Sequence, residues 1–306
     1  MNLPKSFARE EAGIGGGRGF GQKDFAMKNT SGSKNTVTPD GARIEHYVTH
    51  VVSDARRVTG ATTTGHRNAE GVEQTALNRL LSNKLLAALS GEAFARLFPH
   101  VEPVSLAAGA DVYKAGEEIH HIYFPENVVI SHLHILEDGS SVEAALIGRE
   151  GIVGLSAVFN AHPPSYWTQI AVAGSALRVR KEVVKNEFAR GGALQELILS
   201  YASSRLAHLS QRAVCNSRHK IVERLASWLL MVHDRAGEDQ LMMTHEQIAR
   251  HLGTRRAGVT NVVTDLRDKH IIDYGRGHIR VLDRRALEAA ACECYGVLSE
   301  VNVAAA

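Results

Sequence analysis

Five side chains in one short segment carry the most specific chemistry in this chain. Arg256, Ala257, Thr260, Asn261 and Thr264 recur at spacings of one, three and four, so a helix would set them on one face. An arginine can fork onto guanine, an asparagine can pair bidentately with adenine, and an alanine can touch a thymine methyl. The face is short and polar, unlike the Glu/Lys pairs of an ordinary solvated helix. Val259, Val262, Val263 and Leu266 repeat at three and four and supply the buried side. Gly258 costs such a helix about 1 kcal/mol against alanine, and close approach of a phosphate backbone would account for keeping it.

These residues need a scaffold, and the flanking residues provide one. Thr244 and Gln247 form a capping box for a preceding helix whose stripe is Ile248, Ala249 and Leu252. Gly253 can take a positive φ and end it. Two helices joined at a glycine make a helix-turn-helix, with the second helix at about 255–269 lying in the major groove of DNA. Ile271–Tyr274 and His278–Leu282 read as strands around the turn Gly275-Arg276-Gly277, a wing whose tip would set Arg276 against a phosphate. Between Thr244 and Leu282 seven Lys/Arg face four acids, a local +3 in a chain of net charge +2. The expected DNA contacts are Thr244, Arg255, Arg256, Ala257, Gly258, Thr260, Asn261, Thr264 and Arg276.

Residues 243–283 resemble the winged-helix domain of the Crp/Fnr family, the cyclic-AMP receptor protein and fumarate-nitrate regulator class. Ile122-Tyr-Phe-Pro125, Leu136-Glu-Asp-Gly139 and Gly148-Arg-Glu-Gly-Ile-Val-Gly154 resemble the sensor domain of one subgroup, so the likeness spans roughly residues 77–296. It implies an α+β chain: an N-terminal double-stranded β-helix (a β-roll like that of cyclic-nucleotide-binding domains), a long dimerisation helix and a C-terminal winged helix-turn-helix. In the best-known member an Arg, a Glu and a second Arg read the bases. The positions here are Arg256, Ala257 and Asn261, so a different operator is expected. Cyclic-nucleotide members grip the ribose with a Glu after a glycine and the phosphate with an Arg-Ser pair. Here Leu155 stands in the first place and Ser165, Tyr166 and Trp167 surround the second, which argues against a cyclic nucleotide. Arg149, Glu150 and Gly154 remain candidates for ligand contacts, with a plain surface turn as the simpler reading. Iron–sulfur members use N-terminal cysteines, whereas this chain has none before Cys215, so no such cofactor is expected.

The middle of the chain supports the roll independently. Residues 77–98 carry a helical pattern, Leu80, Leu81, Leu85, Leu86, Leu89 and Phe94. From Val101 to about Arg180 short β runs alternate with glycine turns, the pattern of a sandwich or barrel. A rival reading takes His132 and His134, two apart on a strand, with Glu137 as a metal site of a cupin-like enzyme or metal sensor. Sixteen histidines in 306 residues make a chance His-x-His easy, so a regulator without enzymatic activity is favoured.

Leu194, Leu197, Ile198, Tyr201, Ala202, Leu206, Leu209 and Ala213 stripe a long helix suited to pairing with its twin, its own roll being the other candidate partner. A second amphipathic helix follows, with Ile221, Leu225, Trp228, Leu229 and Val232. The expected layout is a disordered extension over 1–76, which holds eleven of the 27 glycines, a roll over 77–190, a dimerisation helix over 191–215, a winged helix over 216–296 and a flexible tail over 297–306. Cys292-Glu-Cys294 lacks the C-x-x-C spacing, and with Cys215 as a third thiolate no fourth ligand is evident, so free thiols are expected. Apolar content of 44% supports real cores, and no run approaches 18 uninterrupted apolar residues. Three cysteines fit a reducing compartment, hence a cytoplasmic, membrane-free location. The partners expected are double-stranded DNA, a second copy of the chain and RNA polymerase.

Overall fold

The computed structural model describes residues 82–89, 91–159, 162–238, 240–275 and 277–299. The extension expected over 1–76, the helical positions Leu80 and Leu81, and the wing-tip Arg276 lie outside the described residues.

Two short helices, α1 (Lys84–Ala87) and α2 (Gly91–Leu97), open the described chain. Asn83 caps α1, accepting from the amides of Leu85 and Leu86 at 3.1 and 3.2 Å, and donates to the carbonyls of Pro125 and Gly151 at 3.0 Å each. All four of its hydrogen-bonding capacities are met in a fully buried place, so this one amide pins the entry helix to the domain behind it.

That domain is the roll. Its strands are β1 (Glu102–Leu106), β2 (Asp111–Tyr113), β3 (His121–Pro125), β4 (Val129–Ile135), β5 (Ser141–Ile147), β6 (Trp167–Val172) and β7 (Gly174–Arg180), with the one-turn helix α3 (Leu155–Val158) between β5 and β6. They form two antiparallel sheets, in the orders β1-β7-β3 and β2-β6-β4-β5. Ile122, Phe124, Ile130, Ile147, Ile170 and Val179 fill the core between them. Helix α4 (Lys181–Ala189) leaves the roll and is tied to α2 by a two-pronged pair, Arg96 to Glu187 at 2.9 and 2.7 Å.

The long helix α5 runs Ala193–Arg218, three residues beyond the expected end. Its first half buries Leu194, Leu197, Ile198 and Tyr201 in the core of its own roll. Its second half leaves Leu206 and Leu209 exposed, and Leu199 lies exposed on the earlier turn. The stripe read as one face in the sequence is therefore two: the earlier part packs at home, and the later part is open.

Helix α6 (Ile221–Ala236) is buried over most of its circumference, from Leu225 to Val232 without a break. It is covered on both sides: Trp228, Leu229 and Leu230 share one core with the helices and wing that follow and with Val129, Leu146 and Ala171 from the roll. The rest of the chain is β8 (Gln240–Met242), α7 (His245–Leu252), α8 (Arg256–Asp268), β9 (Ile272–Gly275), β10 (His278–Val281), α9 (Arg284–Ala290) and α10 (Cys294–Ser299). The expected tail from 297 thus begins inside a helix, because Leu298 is buried in this second core.

Candidate nucleic-acid interface

Thr244 caps α7 as its sequence implies. Its hydroxyl accepts from the Gln247 amide at 3.2 Å, and the Gln247 side chain accepts from the Thr244 amide at 2.8 Å. Gly253 ends the helix in the left-handed region at φ 58. Ile248, Ala249 and Leu252 face the second core, and Val259, Val263 and Leu266 of α8 meet them there. With one side of each helix fixed this way, the opposite side of α8 is forced outward.

Arg255, Arg256, Ala257, Thr260 and Asn261 are all exposed on that outward side. Charges near the end of α8 neutralise one another, Lys269 with Asp265 at 2.8 Å and Arg267 with Asp268 at 3.1 Å. Arg255 and Arg256 have no ion-pair partner among the described residues, so the free positive charge gathers at the N-terminal end, where the helix dipole also points its positive pole. The threonines are less free than their sequence suggests. The Thr264 hydroxyl donates to the Thr260 carbonyl at 2.9 Å, and the Thr260 hydroxyl reaches the Arg256 carbonyl at 3.1 Å and His245 Nδ1 at 3.0 Å. Both are tied to their own helix by local bonds that short hydroxyl side chains make readily.

Gly258 has a different neighbour from the one expected. A Cβ there would lie 3.4 Å from Ile221 of α6 and 3.5 Å from Thr254, which is ordinary contact inside the protein. The position faces α6, so approach of a phosphate does not follow from its place.

His245 was invisible to spacing arguments. Its ring stacks on Tyr274 of β9 with centroids 4.2 Å apart while its Nδ1 holds Thr260. It therefore clamps the wing to the reading helix. Burial, helped by the Arg256 charge, pushes its pKa down, which favours the neutral ring. The two partners lie 15 and 29 residues away in sequence, so only the fold brings them together. The wing is also broader than the two-stranded hairpin expected, with order β8-β10-β9. Strand β8 has three residues, too few for an alternation to show. Gly277 takes φ 80 at the turn, and its carbonyl accepts from the Met243 amide at 2.6 Å.

The roll's candidate ligand residues divide. Arg149 is exposed. Gly154 takes φ 99 and a Cβ would meet Ile122 at 2.9 Å, so glycine is required there by geometry. Glu150, offered as a ligand contact or surface residue, is neither exposed nor free: it is buried and paired with Arg235 of α6 at 2.7 Å. The pairing holds its carboxyl below the ordinary range despite burial. In the roll interior the buried atoms Tyr113 Oη, His132 Nε2, Ser156 Oγ and Thr168 Oγ1 have no hydrogen-bond partner among the described residues. Burial drives His132 down to about 3 and raises Tyr113, so these groups are uncharged at neutral pH. A phosphate finds no cation among these four.

The rival metal reading fails on geometry. His132 stacks on Tyr166 at 4.2 Å and His134 tilts against the same ring at 6.0 Å, while Glu137 sits exposed on the turn beyond β4. These three do not form a ligand set among the described residues.

A second polar centre joins roll and reading head. A bulge between His132 and Leu133 on β4, opposite Ala145 and Glu143, leaves Ala144 as the extra residue of β5. It turns Glu143 to the outer face of the sheet, toward the helices. One carboxylate oxygen of Glu143 accepts from Arg212 of α5 at 2.7 Å and Trp228 of α6 at 3.2 Å; the other accepts from Ser131 at 2.6 Å and meets His251 of α7 at 2.6 Å. Burial pushes this carboxyl up, but the charges of His251 and Arg212 and the hydrogen bonds outweigh it and bring it to about 2.

Comparison with known proteins agrees with this geometry. Residues 223–290 match a family model described as a Crp-like helix-turn-helix domain. The transcriptional regulator SdrP of Thermus thermophilus is 26% identical over 161 residues, covering 51% of this chain and 76% of its own. The anaerobic regulatory protein of Bacillus subtilis is 20% identical over 199 residues, covering 62% of this chain and 83% of its own. Among solved structures, FixK2 from Bradyrhizobium japonicum superposes with TM-score 0.54 at 17% identity, over 63% of this chain and 98% of that one. The c-di-GMP-responsive global regulator CLP of Xanthomonas campestris gives TM-score 0.52 at 15% identity, over 63% of this chain and 99% of that one. Both of these curated relatives are named as regulators. Residues 223–290 thus carry a Crp-like helix-turn-helix domain, the DNA-binding part of a transcriptional regulator, and a roll, a long helix and a winged helix-turn-helix in this order give the chain the fold of these solved structures.

Proposed function

We propose that the chain works as a homodimer that reads a twofold-symmetric operator with the first turns of α8, and that the roll controls this reading through Glu143. The observation that carries the reading is the exposed, acid-free N-terminal face of a helix whose other face is locked in a core. Arg256, Ala257 and Asn261 are the proposed base-reading residues. Thr244 and Arg255 are proposed phosphate contacts, with Thr260 and Thr264 lining the approach. Arg276 is proposed as the wing's phosphate contact on its sequence position.

The proposed dimer contact is the open half of α5. Leu199, Leu206 and Ala213 fall seven apart, with Ala202 and Leu209 three residues after the first two. That is the a/d spacing of a parallel two-stranded coil, and Leu206 is 68% exposed in one chain alone. A twofold pair would present its reading helices to successive major grooves about 34 Å apart. RNA polymerase is a proposed further partner, and operator position relative to the start of transcription would set activation or repression. We place this work in the cytoplasm; among the described residues, no helix is long and apolar enough to cross a membrane.

Selection of bound duplexes from a random pool, with and without cell extract, tests the reading. Enrichment of a sequence with two inverted half-sites about one helical turn apart is expected. Failure to enrich any duplex at low ionic strength, or a single asymmetric site bound by a monomer, would overturn it. Dependence on the extract would show that an effector exists.

A further inference from the structure

We propose that Cys215, His219, Cys292 and Cys294 together bind one zinc ion, which clamps the end of α5 to the last helices of the chain. No spacing in the sequence announces four ligands, yet the fold brings them together: the four ligand atoms lie within 4.8 Å of one another. Cys215 Sγ is 3.6 Å from Cys292 Sγ, and Cys294 Sγ is 3.5 Å from His219 Nδ1. A tetrahedral zinc with Zn–S of about 2.3 Å and Zn–N of about 2.0–2.1 Å has edges of about 3.8 Å between sulfurs and about 3.6 Å between sulfur and nitrogen. These two separations match those edges and the other ligand-atom pairs lie within 4.8 Å, so an ion fits once the side chains draw in by up to about 1 Å. All three cysteines are buried and His219 is half-buried, which closes the site as structural zinc requires.

The groups around the ligands point the same way. His219 Nε2 lies 3.1 Å from Glu293 Oε1, and donation to that carboxylate leaves Nδ1 with its lone pair toward the sulfurs. This carboxylate–histidine–metal arrangement orients metal-bound imidazoles generally. Gln211 donates to Cys294 Sγ at 3.0 Å, and Ser227 Oγ lies 3.1 Å from Cys292 Sγ. Three thiolates on Zn²⁺ carry one net negative charge, and the guanidinium of Arg224 is close enough to act on Cys215 and Cys292. A two- or four-iron cluster would spread its ligands over separate irons, wider than this envelope. A Cys215–Cys292 disulfide needs the sulfurs to close to about 2.05 Å and leaves Cys294, His219 and Glu293 without a role.

The place of the site gives it a purpose. Cys215 and His219 lie four apart at the last turn and cap of α5, Cys292 lies in the link from α9 to α10, and Cys294 is the first residue of α10. The ion would bind the two sides of the junction where the long helix hands over to the reading head.

The test uses the full chain purified from zinc-containing medium. One zinc per chain is expected by elemental analysis, and Co²⁺ added to the metal-free protein should give tetrahedral d–d bands with thiolate charge transfer that saturate at one equivalent. Glu293→Gln, on the exposed side, should leave folding intact by circular dichroism and weaken zinc binding about 10-fold or more. Zinc far below one equivalent, Co²⁺ spectra without thiolate bands, or a Cys215–Cys292 disulfide in protein handled without oxygen would each overturn the proposal. Unchanged zinc affinity in Glu293→Gln would overturn it too.

Discussion

Arg256 stands on the first turn of α8 with its charge uncompensated, whereas Lys269 and Arg267 are matched by acids on the same helix. Charge that is already paired adds little to a DNA contact, so the proposed reading chemistry rests on one guanidinium and the Asn261 amide. Arg256→Ala should weaken binding to the selected operator by about 1–3 kcal/mol and leave binding to random duplex nearly unchanged; equal losses on both, measured by fluorescence anisotropy, would contradict base reading. Gly258→Ala makes a different separation. The added methyl finds ordinary contact with Ile221, so thermal unfolding should show about 0.5 kcal/mol of stabilisation with operator affinity unchanged. A drop in affinity would return the glycine to a role against the phosphate backbone. The outward positions of Arg256, Ala257 and Asn261 were legible from helical spacing alone. His245 and Glu143 were not, because their partners lie on other elements, and a residue's spacing says nothing of contacts across the fold.

Among elements, α5 shows how far a periodic stripe can be read. Its apolar spacing was clear, yet one stripe serves two partners, and sequence cannot say where the roll stops covering it. Leu206→Glu puts a charge on the open half, away from the roll core that holds Leu194 and Ile198. The variant should sediment as a monomer with an unchanged helical spectrum and lose the two-half-site operator, while a single half-site retains weak binding; a variant that stays dimeric would move the interface elsewhere. Strand β8 escaped notice for lack of length, and the hairpin beside it was found because Gly277 punctuates it. His219 was missed although it follows Cys215 by four residues, a spacing that shares a helix face. Its other ligands come from residues more than seventy positions on, which periodicity cannot connect.

At the scale of the whole molecule, the roll and the reading head share a core and a buried carboxylate. Glu143→Gln keeps the shape but removes the charge that Arg212 and His251 answer, and stripping one member of a buried ionic centre costs about 3–5 kcal/mol. Equilibrium unfolding should register that loss at neutral pH. The pH dependence has a definite sign. A carboxyl lowered from 4.5 to about 2 in the folded state contributes stability that is complete above its ordinary value and is lost as pH falls through the interval between the two. That contribution is about 3 kcal/mol. The gap between the parent chain and Glu143→Gln should therefore be constant near neutrality and narrow as the solution is acidified below pH 4.5. A gap that stays constant down to pH 3 would assign the loss to shape and not to charge.

Ala144, the unpaired residue of the β5 bulge, is a small residue with a wide reach. Strand side chains alternate, so removing it would swing Glu143 from the helices into the interior of the roll, away from Arg212 and His251. The sheet would then be flatter, and the roll would keep the shared apolar core and the Glu150–Arg235 pair but lose this carboxylate as a link to the helices. One surplus alanine is thus what lets a strand of the roll reach His251 on the helix that precedes α8.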